Sequence, residues 1–224
     1  MVTLSNTDAI ALVRKNLDEI NTNSSEMQSD DYSDNSALDM TIKKNLPEAV
    51  NAIHLAAPVQ LLEGESVTAA SPSVSSEGVL SFSLPAGSKY LRLVAFQAAD
   101  SPVVVTDTLP EAGPEGRKQL RNTYARGRYD RPRLVSLQGS HTEPAFKYYS
   151  LRDDGAAFAD DPGSAISQLL IIKEQFYSNL VTEYNISRRL RQNIIDCLTA
   201  MVMETYNDQR AQYFFQKANN FPTI

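Results

Sequence analysis

Tryptophan is absent from this 224-residue chain, cysteine occurs once, histidine twice and glycine nine times. A single Cys197 excludes an internal disulfide and any multi-cysteine metal site. Its neighbours Ile194, Leu198 and Met201 mark it as a small buried hydrophobe rather than a reactive thiol. With only His54 and His141, a histidine metal site or a Ser-His-Asp triad would need a convergence that the spacing does not display. His54 reads as a packing or hydrogen-bonding residue. No apolar run approaches the roughly 20 residues of a membrane span. The start, Met1 to Ser5, lacks a basic stretch followed by an apolar core, so no signal peptide is expected. These shortages describe a soluble protein made in a reducing compartment. The G-x-G-x-x-G, G-x-x-x-x-G-K-S/T and H-E-x-x-H motifs are missing. Asp153-Asp154 and Asp160-Asp161 lack the spacing of a calcium loop and read as solvated acidic turns. No catalytic, cofactor-binding or metal-ligating residue is expected, and the chain does not read as an enzyme.

What the chain does have is an uneven charge distribution. It carries 21 Lys and Arg against 27 Asp and Glu, a net charge of −6. Residues 117–133 reverse that sign: Arg117, Lys118, Arg121, Arg126, Arg128, Arg131 and Arg133 stand against Asp130 alone. Gly116, Gly127 and Pro132 make this stretch read as a loop held out from strands. A basic loop on an acidic body has three readings: a solvated loop balancing nearby acids, a dock for an acidic protein face, or a contact to DNA phosphates. Tyr124 and Tyr129 interleave with the arginines and suit either partner. A second basic knot, Arg188-Arg189-Arg191, opens the last long helix against its dipole, a small penalty that a partner's carboxylates could offset.

The periodicity predicts an α+β chain. Residues 5–20 read as a short helix: Ser5 and Asp8 make a capping pattern, and Ile10, Val13, Leu17 and Ile20 form a thin stripe. Such a stripe needs another surface to lie on. Residues 21–36 are Ser-, Asn- and Asp-rich and read as a flexible tether, so that 1–36 forms an N-terminal arm. A helix over 37–58 presents Leu38, Ile42, Leu46, Ala49, Ile53 and Ala57. Pro47 inside it implies a kink or two abutting helices. Residues 59–173 alternate as strands, at Leu80–Leu84, Tyr90–Gln97, Val103–Thr106, Leu134–Leu137, Phe146–Leu151 and Leu169–Lys173. Residues 174–218 return to helix. Ser187 reads as a cap, followed by Leu190, Ile194, Cys197, Met201 and Thr205 on one face and Ile195, Leu198, Val202 and Tyr206 on the next. Tyr213, Phe214 and Phe215 are adjacent aromatics that cannot all reach one core, which suggests a contact with another subunit. Residues 219–224 form a tail.

Several of these segments taken in order resemble a known family. Leu46-Pro47-Glu48-Ala49-Val50 runs into Ile53-His54-Leu55-Ala56-Ala57-Pro58. Gly78-Val79-Leu80-Ser81-Phe82-Ser83-Leu84-Pro85 precedes Tyr90-Leu91-Arg92-Leu93-Val94. Lys147-Tyr148-Tyr149-Ser150-Leu151 and the stretch Ile195 to Ala218, with Glu204-Thr205-Tyr206 at its centre, complete the set. Over about residues 37–218 this order resembles the head–tail connector (adaptor or ring) proteins of short-tailed, crAss-like bacteriophages. The resemblance implies an adaptor-like helical bundle, 37–58 with 174–218, carrying a β-rich insertion over 59–173, with extended terminal arms. It further implies a structural virion protein assembled in the bacterial host cytoplasm. Its copies would close into a ring, usually a dodecamer, below the portal protein and against adjacent ring or tail proteins. Genomic DNA would pass through the lumen without sequence-specific binding, and no membrane or cofactor would be involved. The interface residues expected are those of the 117–133 stretch together with Tyr213, Phe214 and Phe215. A DNA-binding phage accessory protein using the basic stretch is the alternative.

Overall fold

In the computed structural model the described residues are 1–23, 35–99, 101–122, 124, 126–137, 144–151 and 165–222. The chain is mixed α+β, with five α-helices and three sheets among these residues. It divides into two compact units, Met1–Glu63 with Glu174–Ile224, and Gly64–Lys173.

Numbered along the chain, the first unit holds β1 (Val2–Ser5), α1 (Asn6–Asn23), α2 (Asn35–Ala56), β10 (Glu183–Ile186), α4 (Arg191–Thr205) and α5 (Ala211–Ala218). The expected arm is corrected over residues 1–23. Val2–Ser5 is a strand paired antiparallel with β10, and α1 packs on α2 and α4 of the same chain. Leu4, Ala9, Val13 and Leu17 are buried there. Each large apolar side chain so buried contributes about 2 kcal/mol, enough to order a helix that would be marginal in isolation. The Asp8 amide donates to Ser5 Oγ at 3.0 Å, which caps the helix as its sequence suggests. Arg14 donates from Nε and Nη2 to Asp39 Oδ1 at 3.0 and 2.7 Å, tying α1 to α2. The Met1 amino group pairs with Glu63 and holds that carboxyl below the usual carboxylate range, with the Arg188 charge acting in the same direction.

Helix α2 runs unbroken through Pro47, so the two-helix alternative is corrected. An interior proline costs about 3 kcal/mol. Burial of Leu38, Ile42, Leu46, Ala49, Val50 and Ile53 along the same helix offsets it. His54, fully buried near the end of α2, accepts the Ser187 N–H on Nε2 at 3.3 Å. Burial lowers its pKa to about 4. Ser187 does not cap the last long helix as expected, because its hydroxyl accepts the Glu63 N–H at 2.9 Å. A 3-10 turn, Arg188–Leu190, leads into α4 instead. The predicted single C-terminal helix is broken after Thr205, where Asn207 takes a left-handed φ of 58°. Arg210 there grips Asp208 through Nε and Nη2, the shorter contact being 2.5 Å. Helix α5 then folds against α4, whose Asn193 Nδ2 donates to Ala218 O at 2.7 Å.

The second unit holds β2 (Glu65–Ser66), β3 (Ala70–Val74), β4 (Leu80–Ser83), β5 (Tyr90–Ala98), β6 (Leu109–Pro110), α3 (Pro114–Arg121), β7 (Arg133–Ser136), β8 (Ala145–Tyr149) and β9 (Ile166–Lys173). One sheet has the order β2-β9-β5 and another β3-β4-β8-β7-β6. Strands β6 and β7 pair in parallel. Phe82, Phe96, Phe146 and Tyr148 form an aromatic centre, with Phe82 and Phe96 stacked at 5.2 Å and Tyr148 tilted against Phe96 at 4.9 Å. Residues Leu93 to Phe96 are all buried, so this part of β5 is covered on both faces rather than alternating. The expected strand Val103–Thr106 reduces to one bridge, Phe96 to Val105.

Candidate interaction surface: a basic cleft

The basic stretch is not a loop throughout. Its first residues, Arg117 to Arg121, belong to α3, and Arg133 opens β7. Gly113 precedes the helix and Pro114 fills its first turn, where a missing amide hydrogen costs nothing. Gly116 lets α3 press against β6, since a Cβ there would lie 2.1 Å from Pro110 O. Lys118 and Arg121 sit in the last turn, where cations complement the helix dipole. Arg117 curls back, donating from Nε and Nη2 to Ala112 O at 3.0 and 2.7 Å.

Beyond α3 the backbone is clamped. Buried Gln119 accepts the Gly127 N–H on Oε1 at 2.8 Å. A Cβ at Gly127 would stand 2.6 Å from Arg133 N and 2.7 Å from Tyr149 O, so only glycine permits this approach. The Leu151 N–H reaches Gly127 O at 2.9 Å, the Tyr129 N–H reaches Leu151 O at 3.0 Å, and the Arg131 N–H closes a turn on Arg128 O at 2.9 Å. Arg126 points inward. Its Nη1 meets Glu77 Oε2 at 2.6 Å, and its guanidinium carbon lies 5.5 Å from the Tyr149 ring centre. Burial pushes the Tyr149 phenol up, an effect that the Arg126 charge opposes.

This scaffold leaves an open cleft of about 410 Å³ lined by Lys118, Arg126, Arg128, Arg131 and Arg133, with Glu115 and Asp130 as its acids. A second cleft, of about 330 Å³, shares Asp130, Arg131 and Arg133 and is walled by Val103, Val105, Leu109 and Leu134. The ridge 130–133 therefore has a cationic side and an apolar side. Arg131 and Asp130 are 3.9 Å apart with side chains 85% and 74% exposed, an arrangement that contributes little energy. Tyr124, 97% exposed, stands beside this region.

Of the expected interface residues, Arg117, Lys118, Arg121, Tyr124, Arg128, Arg131 and Arg133 are exposed in the second unit, Tyr129 is half-buried, and Arg126 is turned inward. The aromatic trio lies in the first unit. Tyr213 is exposed, Phe215 half-buried, and Phe214 buried. Phe214 is thus corrected from interface to core, because α5 turns that face toward α4. Glu77, Gln119 and Tyr149 are not among the expected interface residues, being distant in sequence from the basic stretch or uncharged. Gly116 and Gly127, expected as residues of a loop held out from strands, instead mark where backbones pack closely. His141 and Asp153, Asp154, Asp160 and Asp161 lie outside the described residues. Among the described residues, no three of His, Cys, Asp and Glu gather as a metal-ligand set, and no helix is long and apolar enough to cross a membrane. The Cys197 thiol is pushed up to about 11 by burial.

The chain matches no protein-family model and no curated protein sequence.

Proposed function

We propose that this protein is a structural subunit of a bacteriophage head–tail connector, closing with further copies into a ring below the portal protein. The observation that carries this reading is the exposed cationic face of residues 117–133 on a chain whose remainder holds 14 cations against 26 acids. Copies so divided attract one another head to tail, each using two different faces, and heterologous contacts of that kind make a ring where the rotation between copies closes. Two further features support it. A helix-rich unit made from both ends of the chain is interrupted by residues 64–173, in keeping with an adaptor-like bundle carrying a β-rich insertion. The segments that resemble connector proteins occupy α2, β4, β5, β8 and the α4–α5 pair, in that order. A net charge of −6 also suits a wall past which DNA must slide, since an attracting wall would hold phosphates back. Localisation to the virion, at the head–tail junction, follows from this reading.

Native mass spectrometry and light scattering, with and without the portal protein, test the proposal. A closed oligomer, alone or on the portal, is the expected result. A species that stays monomeric under both conditions overturns it. The alternative, a DNA-binding accessory protein, draws on Tyr124 standing exposed beside the arginines and requires DNA affinity that falls steeply with salt.

A further inference from the structure

We propose that the basic cleft between α3 and the 128–131 turn docks the acidic segment 24–34 of a second copy of this chain. The inference deepens the ring reading by naming one contact between copies, and rests on it to that extent.

Charge is the first ground. Lys118, Arg128, Arg131 and Arg133 line the cleft against Glu115 and Asp130, with Arg126 already held by Glu77, while residues 24–34 contain Glu26, Asp30, Asp31 and Asp34 and no cation. Within Debye screening of about 8 Å at physiological salt, such partners attract only when close, so the contact is local and salt-sensitive. The neighbouring apolar cleft is the second ground. Val103, Val105, Leu109 and Leu134 wall it directly across the 130–133 ridge. Segment 24–34 carries Met27 and Tyr32 between its acids. An acidic peptide with apolar anchors matches both sides of the ridge, whereas a phosphate backbone matches one.

The cleft's own carboxylates are the third ground. Glu115, Asp130 and, in the apolar cleft, Asp107 line these surfaces. Phosphates offer acceptors only and would be repelled there. A peptide supplies backbone N–H groups and the hydroxyls of Ser29 and Ser33 to those acids. The clamped scaffold gives the cleft a fixed shape before anything binds, which lowers the ordering cost of docking. Arg126, held by Glu77 and Tyr149, marks its floor.

The test uses the full chain in sedimentation velocity and native mass spectrometry, at low and high salt, with thermal melts to confirm folding. One variant reverses the cleft (Arg128→Glu, Arg131→Glu, Arg133→Glu). Another reverses the segment (Glu26→Lys, Asp30→Lys, Asp31→Lys, Asp34→Lys). A third carries both sets. Each single set is expected to weaken association about tenfold or more. The chain carrying both sets, and an equimolar mixture of the two single-set variants, are expected to associate again. Association unchanged by either set overturns this inference while leaving the ring reading standing. Loss with the cleft set but not the segment set overturns it in favour of another acidic occupant. A fluorescent oligonucleotide that binds wild type but not the cleft variant, with association intact in both, overturns it in favour of nucleic acid. A wild-type chain that never associates, with or without portal, removes the ring reading as well.

Discussion

The two units handle their polar groups in opposite ways. In the helix-rich unit they turn inward and find partners. His54 accepts from Ser187, Ser187 from Glu63, Asn193 donates to Ala218, and Lys217 reaches the nearly buried Asp196 at 3.1 Å. In the β-rich unit the core cluster is aromatic and aliphatic, and the cations of the basic stretch, inward-turned Arg126 apart, stand exposed around a clamped backbone. Buried polar pairs specify one packing and lose heavily when broken, while exposed charges add little stability.

The largest expected effect tests whether the cleft is a built scaffold. Gly127→Ala forces a Cβ to within 2.6 Å of Arg133 N, and is expected to destabilise the protein by about 3 kcal/mol in urea unfolding. A change near zero would show that the clamp yields. An effect of similar size tests the inward polar groups of the other unit. His54 has a folded pKa of about 4 against an ordinary 6.5, so the unfolded chain takes up the proton first as pH falls. Stability is therefore full above about pH 6.5 and declines by about 3 kcal/mol as pH drops toward 4. His54→Gln keeps an acceptor for the Ser187 amide and is expected to flatten that part of the melting temperature against pH profile. The smallest effects separate two arginines of one stretch. Glu77→Ala strips the partner from inward-turned Arg126 and should cost about 1.5 kcal/mol. Arg131→Ala should change stability by less than about 0.5 kcal/mol. Equal values for the two would erase the distinction between anchored and exposed cations.

Much of this architecture is legible in the residues, for identifiable reasons. Strands β4, β5, β8 and β9 carry their own apolar alternation or runs, and α2 and α4 carry long apolar faces, so local pattern and tertiary burial agree. Elements held mainly by a partner's backbone are not legible. β3 contains Pro72 and three polar or small neighbours, yet pairs with β4 at the sheet edge, where a missing amide hydrogen is tolerated. β1 and β10 become strands only through each other. Ser187 looks like a cap because its residue type is right, but the Glu63 amide claims its hydroxyl. In the cleft, the cations are visible in the sequence and their division is not. Arg126 and Arg131 look alike until Glu77, 49 positions away from Arg126, is brought to its guanidinium.

One feature of the β-rich unit bears on how the molecule can be handled. Its first strand, β2, pairs with its last, β9, with Glu65 opposite Ile171, and Glu65 Oε1 meets Lys173 Nζ at 2.7 Å. The polypeptide thus enters and leaves this unit through a single closed neck. Cuts before Gly64 and after Lys173 would therefore sever no strand, and would keep α3 and the arginine cleft together on one piece.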